Sequence, residues 1–142
     1  MKKRIGSPVA LWLAACLVLA SGTASAQQIY NNWNTAACDL TDRAGFRLHE
    51  PTRLTAIELW YHWGRDESEV GYSLFHNGRF VKHGRLMRAG CDPYQEAWCE
   101  ARGNVGEDLP RGYVEVQTTR PKVCQNEGSD GHGFIHAFGM PD

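Results

Sequence analysis

From Ala44 onward, apolar side chains return at every second position: Ala44, Phe46 and Leu48, then Ile57, Leu59, Tyr61 and Trp63, then Val70, Tyr72 and Leu74. A period of two belongs to a pleated strand with one buried face, so these segments predict strands and not helices. Asn77-Gly78 follows the third run, and both residues tolerate the positive φ that a two-residue type I′ hairpin demands. That turn predicts pairing of His76 with Arg79, Phe75 with Phe80, Leu74 with Val81 and Tyr72 with His83. Further strands are expected over residues 113–119 and 133–138, the first introduced by the turn Pro110-Arg111-Gly112.

Beyond the first 26 residues no segment sustains an apolar period of 3.6. Of the 15 glycines only Gly6 and Gly22 fall in that leading stretch, and the other 13 cut the chain into short pieces. These features disfavour an α/β reading and predict an all-β fold, an antiparallel β-sandwich of jelly-roll type. The pattern is similar in a general way to the carbohydrate-binding jelly rolls of exported proteins. That likeness concerns architecture alone, and folds of this class host many functions.

Residues 1–26 have the layout of an export signal. Lys2, Lys3 and Arg4 precede an apolar stretch from Val9 to Ala20, and Ala24-Ser25-Ala26 supplies the small-x-small site after which a signal peptidase cuts. The apolar run breaks at Ser21-Gly22, short of the roughly 20 residues a spanning helix requires, so no membrane span is expected. Leu13-Ala14-Ala15-Cys16 resembles a lipobox, but Leu17-Val18-Leu19-Ala20 continue the apolar core where a lipoprotein would begin a polar tether. The expectation is a secreted or periplasmic chain, residues 27–142 forming one domain, in preference to a lipid anchor on Cys16. Cleavage removes Lys2, Lys3 and Arg4 and no acid, leaving 12 basic against 16 acidic residues, a balance of −4. The remaining Lys and Arg are scattered singly from Arg43 to Lys122, which argues against nucleic acid and anionic membrane surfaces as partners.

Removing Cys16 leaves Cys38, Cys91, Cys99 and Cys124, an even number that reads as two disulfides in an exported domain. Spacing favours Cys91 with Cys99 and Cys38 with Cys124. Asp92-Pro93-Tyr94-Gln95 between the first pair looks like a helix start. A helix continued to Cys99 would hold the two Cα atoms about 12 Å apart, whereas a disulfide needs roughly 4.4 to 6.8 Å. Bridge and helix exclude each other, and the bridge is expected.

Strand alternation that turns Ile57, Leu59, Tyr61 and Trp63 inward turns Glu58, Trp60 and His62 outward. The hairpin adds Ser73, Phe75 and Phe80 to that side, and a parallel argument adds Tyr113, Glu115 and Gln117. The Cys91–Cys99 loop would present Tyr94 and Trp98 beside Asp92, Gln95 and Glu96. Aromatic faces mixed with carboxylate, amide and imidazole groups suit a sugar, whose C–H face stacks on a ring while its hydroxyls take polar partners. The expected ligand-binding residues are Glu58, Trp60, His62, Phe75, Tyr94, Trp98, Tyr113 and Glu115. The expected partner is a glycan or, as the alternative, an extracellular protein for which these aromatics serve as hot spots.

Evidence for catalysis in the sequence is thin. G-x-S-x-G, P-loop and H-E-x-x-H patterns are missing, and disulfide cysteines are no nucleophiles. Glu58 and Glu115 on one sheet face form a candidate glycosidase-like carboxylate pair, the basis of a third reading as a small hydrolase. His132 and His136 have the spacing of helical zinc ligands, but Gly131 and Gly133 disfavour a helix, and along a strand they would be about 13 Å apart. Asn126-Glu127-Gly128-Ser129-Asp130-Gly131 offers oxygens to Ca²⁺ if Asp39 or Asp42 approaches, although turns share that composition. No metal or cofactor is assigned.

Overall fold

The computed structural model describes residues 25–142. The export signal and Cys16 therefore fall outside the described residues, apart from the exposed Ser25 and Ala26. Ten strands follow in chain order: β1 (Gln27–Asn31), β2 (Asp39–Thr41), β3 (Arg43–Leu48), β4 (Thr52–His62), β5 (Glu69–His76), β6 (Arg79–Cys91), β7 (Trp98–Leu109), β8 (Gly112–Thr118), β9 (Val123–Gln125) and β10 (Ile135–Pro141). A 3-10 turn at Glu127–Ser129 is the only helical element among the described residues. None of them forms a helix long and apolar enough to cross a membrane.

Pairing is nested about the Asn77-Gly78 turn. β5 pairs β6, β4 pairs β7, β3 pairs β8, β2 pairs β9 and β1 pairs β10, all antiparallel, so the chain is one long ribbon doubled on itself. The ribbon is then rolled up, with β10 against β4, β5 against β8 and β6 against β7. The resulting order, β1-β10-β4-β7-β6-β5-β8-β3, contains two Greek keys and has jelly-roll connectivity. Only three residue pairs join β6 to β7. The layers expected of a sandwich are therefore two halves of one rolled, nearly closed sheet, β1-β10-β4-β7 and β6-β5-β8-β3.

The inward residues are those the alternation selects. Ile57, Leu59, Tyr61 and Trp63 of β4 and its exit meet Val70, Tyr72 and Leu74 of β5, Val114 and Val116 of β8, and Phe46 of β3, all at most 4% exposed. Tyr61 and Trp63 pack at 4.7 Å between ring centroids, and the Trp63 indole N–H donates to Cys99 O at 3.2 Å. Burying such side chains contributes about 1.5 to 3 kcal/mol each relative to exposure.

The hairpin departs from the simple register. Asn77 (φ 48) and Gly78 (φ 77) form the expected turn, with His76 opposite Arg79 and Phe75 opposite Phe80. A bulge at Val81 then shifts the ladder, so Leu74 faces Lys82 and Tyr72 faces Gly84. The shift has a steric reason: a Cβ at residue 84 would strike the buried Tyr72 ring, and only glycine leaves that space. Ser73 consequently sits opposite His83, with Ser73 Oγ 3.0 Å from His83 Nδ1.

Both disulfides take the expected pairing. Cys38–Cys124 ties the start of the ribbon to its end, with Cα atoms 5.1 Å apart. Cys91–Cys99 crosses from β6 to β7 between facing residues, with Cα atoms 3.9 Å apart. No helix forms between these two. Asp92 Oδ1 accepts from the Tyr94 and Gln95 N–H groups at 2.7 and 3.2 Å, and this cap closes a tight turn instead of opening a helix. Two such bridges belong to an oxidising environment.

Candidate functional site

β10, β4 and β7 are neighbours, and their outward side chains build one strip. His136 lies opposite Glu58, Glu58 opposite Arg102, Trp60 opposite Glu100 and His62 opposite Trp98. Trp33, from the β1–β2 connection, folds onto this strip and stacks on His136 at 3.9 Å with an interplanar angle of 21°. The aromatic row continues from Trp33 to Trp60 at 5.4 Å, from Trp60 to Trp98 at 6.3 Å, and from Trp98 to His62 at 5.0 Å. Trp60 and Trp98 are within 13° of parallel.

Two loops raise walls beside this row. One is residues 33–38, held by Cys38–Cys124 and by a reciprocal amide pair in which Asn34 donates to Asn126 at 2.9 Å and Asn126 donates to Asn34 at 2.8 Å. The other is the Cys91–Cys99 loop. Its base is fixed by Asp92 N–H donating to Trp98 O at 2.9 Å and by Arg88, whose guanidinium donates to Glu96 O at 2.8 Å and sits 3.3 Å from Cys99 Sγ. Between the walls lies an open groove of about 640 Å³, lined by Trp33, Trp60, Trp98, Asn34, Asp92 and Gln95 among others. That volume falls in the range of roughly 300 to 1,000 Å³ common for ligand sites.

Glu58 supports the row from below. Its side chain is 13% exposed, with Arg102 Nε at 2.7 Å from one oxygen and His136 Nδ1 at 3.4 Å from the other. Arg102 also reaches Glu100 at 2.7 Å. This chain fixes the His136 ring on which Trp33 rests. The Trp33 indole nitrogen is buried and has no hydrogen-bond partner.

Of the eight expected residues Trp60 and Trp98 line the groove, Glu58 and His62 flank them on the same strip without lining it, and four lie elsewhere. Tyr94, at the apex of the disulfide loop, is 94% exposed and does not line the groove. Phe75, Tyr113 and Glu115 also turn outward, but on β5 and β8, which β7 and β6 separate from β4. There Phe75 lies opposite Glu115 and packs on Phe80 at 6.0 Å, Tyr113 meets Arg47 at 5.9 Å, and Glu115 pairs with Arg43 at 3.6 Å. Rolling of the sheet splits the single face expected from alternation into two patches. It also parts Glu58 from Glu115, so the two carboxylates share no groove.

The loop considered for calcium is a self-contained cap. Asn126 Oδ1 accepts from Ser129 N–H at 3.1 Å and from Asn34, while Ser129 Oγ accepts from Asn126 N–H at 3.1 Å. These oxygens hold the turn and the groove wall. Among the described residues no three His, Cys, Asp or Glu side chains converge as metal ligands.

Trp33, Asn34 and Phe134 complete the groove; Trp33 and Asn34 lie in a connection that the strand pattern does not reach, and Phe134, expected within a strand over 133–138, precedes β10, which starts at Ile135. The one available signal was a tryptophan within the Asn31-Asn32-Trp33-Asn34 run, a large aromatic in a segment otherwise suited to a turn. No known family's sequence profile matches the chain, and no curated protein matches it significantly in sequence.

Proposed function

We propose that residues 27–142 form an exported, noncatalytic binding domain that holds a glycan in the groove over Trp60. The observation that carries this reading is the row of Trp33, Trp60 and Trp98 between two covalently fixed walls. Indole faces offer sugar C–H groups a stacking surface, while Asp92 and Gln95 at the edges offer hydroxyls polar partners. Walls held by disulfides lower the ordering cost of binding. The oxidising environment implied by the bridges agrees with soluble export.

Trp60→Ala and Trp63→Ala test the assignment as a pair. Trp60→Ala should abolish retention on a glycan array while losing about 1 to 3 kcal/mol of stability, the value of its two aromatic contacts. Trp63, 2% exposed, should behave oppositely, costing about 3 to 5 kcal/mol in a denaturant melt. Equal destabilisation by the two would make Trp60 a core residue and remove the site. Capture of a soluble protein through Trp60, with no glycan retained, would favour the protein-binding alternative.

A further inference from the structure

We infer that the groove selects an uncharged oligosaccharide of at least two sugar rings, laid along the tryptophan row, and discriminates against acidic glycans. The inference rests on the glycan reading and adds to it a length and a charge.

Length follows from the spacing of the rings. Successive centroids along Trp33, Trp60 and Trp98 are 5.4 and 6.3 Å apart, a step comparable with the advance of one pyranose unit along a chain. Trp60 and Trp98 stack within 13° of parallel and Trp33 is tilted by 52° to Trp60, so the row of three indoles is longer than a single pyranose ring can cover. The site is an open groove, so nothing in its shape requires a chain end.

Charge follows from which ions face the ligand. Among the described residues Asp92 is the only charged one lining the groove. The nearby cations are already engaged. Arg102 is held between Glu58 and Glu100 at 2.7 Å each, and Arg88 is committed to Glu96 O, Gly64 O and the Cys99 sulfur. A uronate or sulfate entering the groove would lose water without gaining a cation and would meet the Asp92 carboxylate. A neutral sugar carries no such penalty, since its hydroxyls can be satisfied by amide and carboxylate groups.

Affinity columns of neutral polymers (β-glucan, mannan, xylan, chitin) and acidic ones (galacturonan, alginate, a sulfated glycosaminoglycan) test this with the intact disulfide-bonded domain. Wild-type protein should be retained by at least one neutral polymer and by no acidic one. Oligosaccharides of the retained polymer should then bind about tenfold more tightly at three rings than at one, the gain of two added aromatic stacks. They should shift the indole N–H resonances of Trp60 and Trp98. Asp92→Asn keeps an oxygen to cap the loop and should raise retention on galacturonan relative to the neutral polymer. Retention on acidic columns equal to neutral ones overturns the charge selection, and equal affinity for one and three rings overturns the length. Failure on every column, with Trp60→Ala indistinguishable from wild type, overturns the glycan reading itself.

Discussion

Glu67, in the connection from β4 to β5, shows how one half-buried carboxylate is set by its neighbours. Burial works to raise its proton affinity. The Gly64 N–H at 3.1 Å, the Lys122 ammonium at 3.3 Å and the Arg120 guanidinium at 3.8 Å outweigh that and hold it below the usual carboxylate range. The Tyr61 hydroxyl donates to the same carboxylate at 3.4 Å, and its own pKa is pushed up by burial first and by the Glu67 charge second. A depressed carboxylate stabilises the fold above its unfolded pKa, and that contribution disappears as pH falls through the lower folded value. Wild-type protein should therefore lose melting temperature between roughly pH 5 and 3 more steeply than Glu67→Gln. Identical acid slopes would show that Glu67 stores no such stability. Tyr61 acts in the other direction: its raised pKa stabilises the fold below about pH 10, and that support is lost as pH rises further.

At the level of elements, alternation read β3, β4, β5 and β8 well because their inward positions carry Phe46, Leu48, Ile57, Leu59, Val70, Leu74, Val114 and Val116, apolar side chains that leave a signal. β7 was harder to see. Facing the core it presents Cys99, Ala101 and Val105, with Gly103 pressed so close to Arg85 O that a Cβ would lie 2.6 Å away, and its other positions are mostly charged or polar. The disulfide loop was legible because helix and bridge are geometrically exclusive, whereas nothing in Asn31-Asn32-Trp33-Asn34 revealed that this connection folds back over β4. The two bridges should separate by function. Their sequence separations of 86 and 8 correspond, in the chain-entropy model, to about 4.6 and 2.5 kcal/mol of stabilisation. Replacing Cys38 and Cys124 by alanine should therefore cost about 2 kcal/mol more in a urea melt than replacing Cys91 and Cys99. Alanine is preferred to serine because Cys99 and Cys124 are fully buried and a hydroxyl there would lack partners. The Cys91/Cys99 variant should keep a cooperative melt and lose glycan affinity several-fold, since Trp98 and Gln95 are then ordered only on binding. Unchanged affinity would remove this loop from the groove.

For the molecule as a whole, the nesting of the ribbon lies beyond periodicity, because partners such as β1 and β10 stand at opposite ends of the described chain. Rolling leaves the sheet ends, β1 and β3, facing each other without a direct ladder, and the short β2–β9 ladder that joins β4, together with side chains and one short segment, closes the seam. Tyr30 stacks on Phe46 at 5.4 Å. Gly133 N–H donates to Arg43 O at 2.8 Å, and Asn32 donates to Gly133 O at 3.0 Å while accepting from Ile135 N–H at 2.8 Å. Residues 133–135 are thus stitched to the start of β3 on one side and to the exit of β1 on the other. Gly133 is buried, and a Cβ there would lie 2.7 Å from Arg43 O, a backbone atom that cannot swing aside. Gly133→Ala should push β3 from the segment that holds it, costing about 1 to 3 kcal/mol as an overpacked site. Because Asn32 leads directly into Trp33, the groove wall should loosen with the seam. Hydrogen exchange should then rise in β1, β3 and residues 33–38 while the β5–β6 hairpin, far from the seam in sheet order, keeps its protection. A melt and an exchange pattern indistinguishable from wild type would show that the sheet ends are held together by something other than this segment.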